Sequence, residues 1–164
     1  MRLYEFEAKR IFRTCGIPTP DSVVIDRDNP HLDDVVYPVV LKAQVFLGGR
    51  GKAGYVKTAK NEKAAHACVQ AMLGKKHGPY TIEKILVERM IAIQQEVYVA
   101  ATIDRLTHRP LVMASTQGGV DIEEIARTDG IMKFYFNPGE KMHYFMARKI
   151  AGQLAASLLP YCLT

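Results

Sequence analysis

What this sequence lacks narrows the field first. Its three cysteines (Cys15, Cys68 and Cys162) stand far apart, with no C-x-x-C pair and no histidine at ligand spacing beside them. That scatter suits reduced thiols in a cytosol-like compartment and argues against a disulfide framework or a structural zinc. No apolar run is long enough to span a bilayer. The opening MRLYEFEAKRIF carries charge where a signal peptide needs an apolar core, and no transit peptide is evident. The histidines (31, 66, 77, 108 and 143) are dispersed and never fall at metal or helical spacing. With no Gly-x-Ser-x-Gly and no Cys/His pairing, no catalytic nucleophile and no metal-ligand set stands out. No internal repeat or low-complexity segment is visible.

What is there describes a packed globular protein: 164 residues, 48% hydrophobic and 24% charged. The net charge is +5, from 22 Lys+Arg against 17 Asp+Glu. The densest basic cluster is Arg50, Lys52 and Lys57, followed by Lys60 and Lys63. A nucleic-acid surface wants basic residues interleaved with exposed aromatics. Only residues 133–148 come near that, and Phe134 and Phe136 alternate with Lys133 and Tyr135 as the two faces of a strand do. Those aromatics are expected in a core, and neither nucleic acid nor membrane is expected as a partner.

Periodicity predicts a helix over 3–15 with Leu3, Phe6, Ile11 and Phe12 on one stripe and Gly16 as its cap. Pro18 stops it. Strands are expected over 22–25, 38–45 and 55–58, with an acidic loop over 26–36. Asn61 caps a helix running to Leu73, and Gly74 ends it. A charged loop over 75–80 precedes strands over 85–91, 95–103 and 111–115, with a turn at 104–108. A short helix over 121–126, a strand over 131–136 and a helix over 140–159 complete the chain. Strands and helices intermix without a βαβ period, which predicts an α+β protein with largely antiparallel sheets.

The stretch KAQVFLGGRGKAGY, residues 42–55, is the strongest local signal. Gly49-x-Gly51-x-x-Gly54 matches a dinucleotide fingerprint formally, but a strand follows it and no helix starts until Asn61. A Walker loop fails too, since Ala53 follows Lys52. What remains is strand, glycine loop, strand, the geometry of a hairpin lid over nucleotide phosphates. Glycines let backbone amides approach the oxygens, and Arg50 and Lys52 supply charge. In the strand before it, Val39, Leu41, Ala43 and Val45 share one face, while Val40, Lys42 and Gln44 share the other. An unpaired buried ammonium costs several kcal/mol, so Lys42 is expected to have an anionic partner. An edge strand with a wet second face is the bland alternative.

Two later carboxylates attract attention. Glu88 lies in ILVERMI, and Glu96 shares a strand face with Tyr98, opposite Val97, Val99 and Ala101. Most strand glutamates are simply solvated. The second glycine turn, Ser115–Gly119, leads into Asp121-Ile-Glu-Glu124, whose charges suit a helix N-terminus without any chemistry.

Taken in order, LYEFEAKRIFRTCGIPTP, VLKAQVFLGGRGKAG, ILVERMI, QQEVYVAATIDR and MASTQGGVDIEEIA resemble the nucleotide-binding half of the succinyl-CoA synthetase β-subunit family, over nearly the whole chain. The resemblance implies an ATP-grasp fold, with a lid subdomain over about 20–92 and residues 1–19 plus 93–164 forming part of a second subdomain. It implies that Lys42 binds phosphate, that Gly49, Arg50 and Gly51 form the lid, and that Glu88 with Ile91 forms the hinge meeting adenine and ribose. Glu96 resembles a second nucleotide-binding glutamate. ATP, with GTP less favoured, would phosphorylate a histidine on a partner α subunit that holds CoA, with Mg2+ on the phosphates. The catalytic histidine would then lie outside this chain.

Departures from the family pattern are few. Tyr55 stands where glycine is common, Gln117 where Glu is frequent, and Pro20 matches adenine-preferring members. The family's metal-bearing strands and CoA-ligase domain are absent from these residues. The chain is therefore expected to be an incomplete ATP-grasp domain, inactive and weakly nucleotide-binding when isolated. Succinate is the expected acid and the compartment cytoplasmic, or the mitochondrial matrix in a eukaryote. Malate-CoA or citryl-CoA ligase subunits stay open as alternatives, as does a non-catalytic nucleotide-binding or subunit-interaction module.

Overall fold

A computed structural model describes residues 2–32, 35–118, 130–140 and 142–156. The chain divides into two compact units, Met1–Ala92 and Ile93–Thr164. The sequence expectations over 119–129, including the short helix at 121–126, and over 157–164 lie outside the described residues.

Unit 1 opens with α1 (Glu5–Thr14). Its start is fixed by Glu7, whose carboxylate accepts from the Tyr4 amide at 2.8 Å. Its end is a Schellman turn: Gly16 takes φ +76°, the Gly16 amide reaches Arg13 O and the Ile17 amide reaches Phe12 O. There follow β1 (Ser22–Ile25), β2 (Val39–Gln44), β3 (Val56–Ala59) and α2 (Glu62–Met72). Then come β4 (Lys76–His77), β5 (Tyr80–Thr81) and β6 (Lys84–Arg89). Asn61 caps α2 as expected, its side-chain oxygen accepting from the Ala64 amide at 2.9 Å.

The main sheet runs β1-β6-β2-β3, every pair antiparallel. Alternation along β2 sorts its residues as expected. Val39, Leu41 and Ala43 are fully buried, in a core with Ile85, Val87 and the α2 residues Ala65, Val69 and Met72. Each such Leu or Ile contributes about 2 kcal/mol of hydrophobic stabilisation. Lys42 and Gln44 point to the opposite face, which α1 covers: the Phe6 amide donates to Gln44 Oε1 at 3.4 Å.

Two expectations change here. Residues 75–80 were expected as loop, yet β4 and β5 form a small hairpin around Gly78, whose φ of +58° permits the tight turn. The apolar stripe of α1 does not face a core either; Leu3, Ile11 and Phe12 are exposed, and the inward face is ionic. Those ion pairs tie Glu5 and Lys9 of α1 to the main sheet of unit 1.

Unit 2 contains β7 (Tyr98–Ile103), β8 (Pro110–Ser115), β9 (Met132–Tyr135) and α3 (Tyr144–Ala156). The strands pair antiparallel in the order β7-β8-β9. Asp104 organises the β7–β8 turn, accepting from the Leu106 amide and from Tyr135 Oη. The core is small: Val112, Ala114 and Ile150, with Met132, Phe134, Phe136 and Leu154 against it. Phe134 and Phe136 are thus core residues, as their alternation suggested. Residues 95–97, expected as strand, precede β7. The architecture of the described residues is α+β with antiparallel sheets throughout. Among them, no helix is long and apolar enough to cross a membrane.

Candidate functional site

The face of the main sheet opposite the apolar core is an ionic cluster beneath α1. β2 presents Lys42, and its neighbour β6 presents Glu88, two residues from direct register (Lys42 opposes Leu86, Val40 opposes Glu88). α1 lies over both and adds Glu5 and Lys9, an i,i+4 pair on one helix face, 3.3 Å apart. Lys42 Nζ donates to Glu5 Oε1 at 3.0 Å and to Glu88 Oε1, while Lys9 Nζ donates to Glu88 Oε2. Glu88 is only 6% exposed. A carboxylate this buried is tolerable because two ammonium groups face it.

The glycine loop joins this cluster through Arg50. Its Nη1 donates to Ala43 O at 2.9 Å, and its Nη2 donates to Glu5 Oε2 at 2.9 Å. The loop closes on itself by amide bonds from Ala53 to Gly49 O, Gly54 to Gly51 O and Tyr55 to Arg50 O. Gly49 needs its freedom for a φ of +75°. Gly51 does not take a positive φ, and a Cβ there would meet nothing within 4 Å. No described side chain or backbone demands glycine at 51.

The β4–β5 hairpin buttresses the loop from outside. Tyr55 Oη donates to Lys76 O at 2.9 Å, and His77 Nε2 lies 3.0 Å from Gly48 O. Leu47 packs so tightly on Gly78 that a Cβ there would come within 2.8 Å of it. Tyr55, where the family resemblance anticipates glycine, therefore anchors the loop base to the hairpin.

Electrostatics follow from the geometry. Burial opposes the charge on Lys42, but the hydrogen bond to Glu88 and the field of Glu5 outweigh it, and its pKa lies above the ordinary lysine value. Burial likewise pushes the Glu5 carboxyl up. Lys42, Arg50 and Lys9 together overcome that push, and its pKa lies below the usual carboxylate range. The anionic partner expected for Lys42 is thus supplied within the chain, by Glu5 and Glu88.

Of the residues singled out from sequence, Lys42, Arg50 and Glu88 come together in one cluster, and Gly49 and Gly51 flank Arg50. Ile91 follows β6 and is exposed. Glu96 belongs to unit 2, is exposed, and sits just before β7. Its backbone is held by Gly118, whose amide donates to Glu96 O at 3.1 Å. A Cβ on Gly118 would fall 2.7 Å from the Glu96 carbonyl carbon, so that close approach requires glycine. Sequence reasoning missed Glu5 and Lys9. Their i,i+4 spacing was a signal, overshadowed by the apolar residues of the same helix.

Comparison with known proteins bears on the family and the fold. Residues 2–158 match the ATP-grasp domain. The β subunit of the ADP-forming succinate–CoA ligase of Haloarcula marismortui is 41% identical over 155 residues, covering 92% of this chain and 41% of that protein. The chain spans about two fifths of the length of the curated relatives it matches. Among solved structures, ATP citrate lyase from Methanothrix soehngenii, in complex with citrate and coenzyme A, superposes with TM-score 0.62 at 18% identity, covering 85% of this chain and 36% of that one. A dinucleotide-forming acetyl-coenzyme A synthetase from Ca. Korarchaeum cryptofilum, in complex with coenzyme A and Ca-AMPCP, gives TM-score 0.62 at 21% identity, covering 85% of this chain and 61% of that one. These likenesses concern the fold. Matched over nearly its whole length, the chain belongs to the ATP-grasp domain family.

Proposed function

We propose that this chain is the nucleotide-binding part of the β subunit of an ADP-forming acid–CoA ligase, with succinate as the acid and ATP as the phosphoryl donor. The observation that carries the proposal is the meeting of Lys42 and Arg50 in one partly buried cluster beside a glycine loop that has open space around Gly51 where a side chain would stand. An ammonium offers a point charge and a guanidinium a planar fork, and phosphate oxygens accept from both. The relatives supply the reaction class, since they are named as ADP-forming succinate–CoA ligase β subunits.

In this reading Lys42 and Arg50 take the phosphates, and Gly49 and Gly51 keep the loop amides accessible. Glu88 acts from below, fixing Lys42 rather than touching base or ribose directly, and Ile91 offers a hinge backbone contact. The phosphoryl group leaves for a histidine on a separate α subunit that holds coenzyme A, in a cytosolic compartment. Among the described residues, no group of three or more His, Cys, Asp and Glu side chains converges on one point.

Titration calorimetry of the chain with Mg-ATP tests the proposal. Saturable binding in the sub-millimolar to millimolar range is expected, abolished by Lys42→Ala with the fold intact by circular dichroism. No heat at millimolar ATP, or equal binding by Lys42→Ala, would overturn it and favour a subunit-interaction module.

A further inference from the structure

Glu5 has no assigned role, yet its carboxylate sits where the proposed phosphate-binding cations converge. One oxygen accepts from Lys42 at 3.0 Å and lies 3.3 Å from Lys9, and the other accepts from Arg50 at 2.9 Å. A single small anion thereby bridges a sheet strand and the glycine loop, as a bound phosphate would. We propose that Glu5 is a built-in stand-in for ligand phosphate, holding Lys42 and Arg50 in place in the empty protein and yielding them when nucleotide arrives. This inference rests on the nucleotide-binding reading above.

The two carboxylates of the cluster differ in a way that identifies the displaceable one. The Glu88 side chain is 7% exposed and enclosed between Lys9 and Lys42; that of Glu5 is 22% exposed, on the first turn of a helix. Glu88 is the fixed counter-ion. Glu5 can rotate away from Arg50 without leaving an orphaned charge, because Lys9, one turn along the same helix, remains its partner. Arg50 in turn stays tethered through Ala43 O. Charge points the same way. Three cations (Lys9, Lys42, Arg50) against two carboxylates (Glu5, Glu88) leave +1, and neutralising Glu5 makes it +2. An incoming polyphosphate then meets more attraction and no resident competitor.

The test uses the 164-residue chain, inorganic tripolyphosphate as probe, and Glu5→Gln. Calorimetry should show roughly tenfold tighter tripolyphosphate binding in Glu5→Gln, the scale of two partly screened ion pairs. Hydrogen exchange of amides 48–54 should be faster in the ligand-free variant, because Arg50 has lost a tether. General structural damage would weaken binding, so tightening is specific to displacement. Glu5→Asp keeps the charge but is too short to bridge both cations; it should loosen the same amides, and carries the test should Glu5→Gln not fold. Equal or weaker binding by Glu5→Gln, with the wild type binding normally, overturns the stand-in role and leaves the nucleotide reading intact. Absence of binding by both proteins overturns both.

Discussion

The two units enclose their sheets differently. In unit 1 the four-stranded sheet is covered on one face by α2, over an apolar core, and on the other by α1, over an ionic cluster. In unit 2 the helix α3 packs on Val112 and Ala114 of β8 and on Met132 and Phe134 of β9. Among the described residues nothing covers β7: Val99, directly opposite Ala114 and on the same face, is 57% exposed, and Ile103 is 64% exposed. A sheet closed on both faces fixes its polar residues, because each buried charge must find a partner there. A sheet closed over two of three strands fixes only its centre. The Lys42, Glu88, Glu5 and Arg50 side chains are consequently held by one another, whereas the exposed Glu96 is held at its backbone by the Gly118 amide.

The largest test of this contrast is Leu41→Ala. Leu41 is fully buried, and its loss should cost about 3 kcal/mol in denaturant unfolding of unit 1. A smaller effect comes from acid. Because the folded pKa of Glu5 is lowered, its ion pairs stabilise the protein above the ordinary carboxylate range, and that contribution is lost as pH falls through the folded value. Partly exposed pairs of this kind are worth about 1 kcal/mol together. Unfolding measured from pH 7 downward should therefore show a shallower acid limb in Glu5→Gln than in wild type. The smallest effect belongs to unit 2. Val99→Ala should change stability by no more than about 0.5 kcal/mol. A loss as large as that of Leu41→Ala would mean that the β7 face is covered in solution.

Much of this was legible in the sequence where one periodicity dominates. The alternation of Val39, Leu41 and Ala43 against Lys42 and Gln44 foretold both faces of β2, and Asn61 and Gly16 marked helix ends through their capping chemistry. The β4–β5 hairpin was hidden because two-residue strands carry no period, and Lys75, Lys76 and Gly78 suggest loop. The ionic face of α1 was hidden for another reason. Hydrophobic pattern assigns an inward face to Leu3, Ile11 and Phe12, whereas the sheet beneath presents Lys42 and Glu88, and the helix turns Glu5 and Lys9 towards them. The demand of Lys42 for an anion was readable; that Glu5, 37 positions earlier, and Glu88, 46 positions later, would meet it was a tertiary fact.

The central claim is that the Lys42 ammonium serves a nucleotide's phosphates, and a crystal structure of the chain with bound ADP tests it most directly. Lys42 Nζ and the Arg50 guanidinium are predicted within about 3 Å of phosphate oxygens, with Glu5 withdrawn from Arg50. Bound ADP with its phosphates elsewhere, and Lys42 still held only by Glu5 and Glu88, would contradict the account.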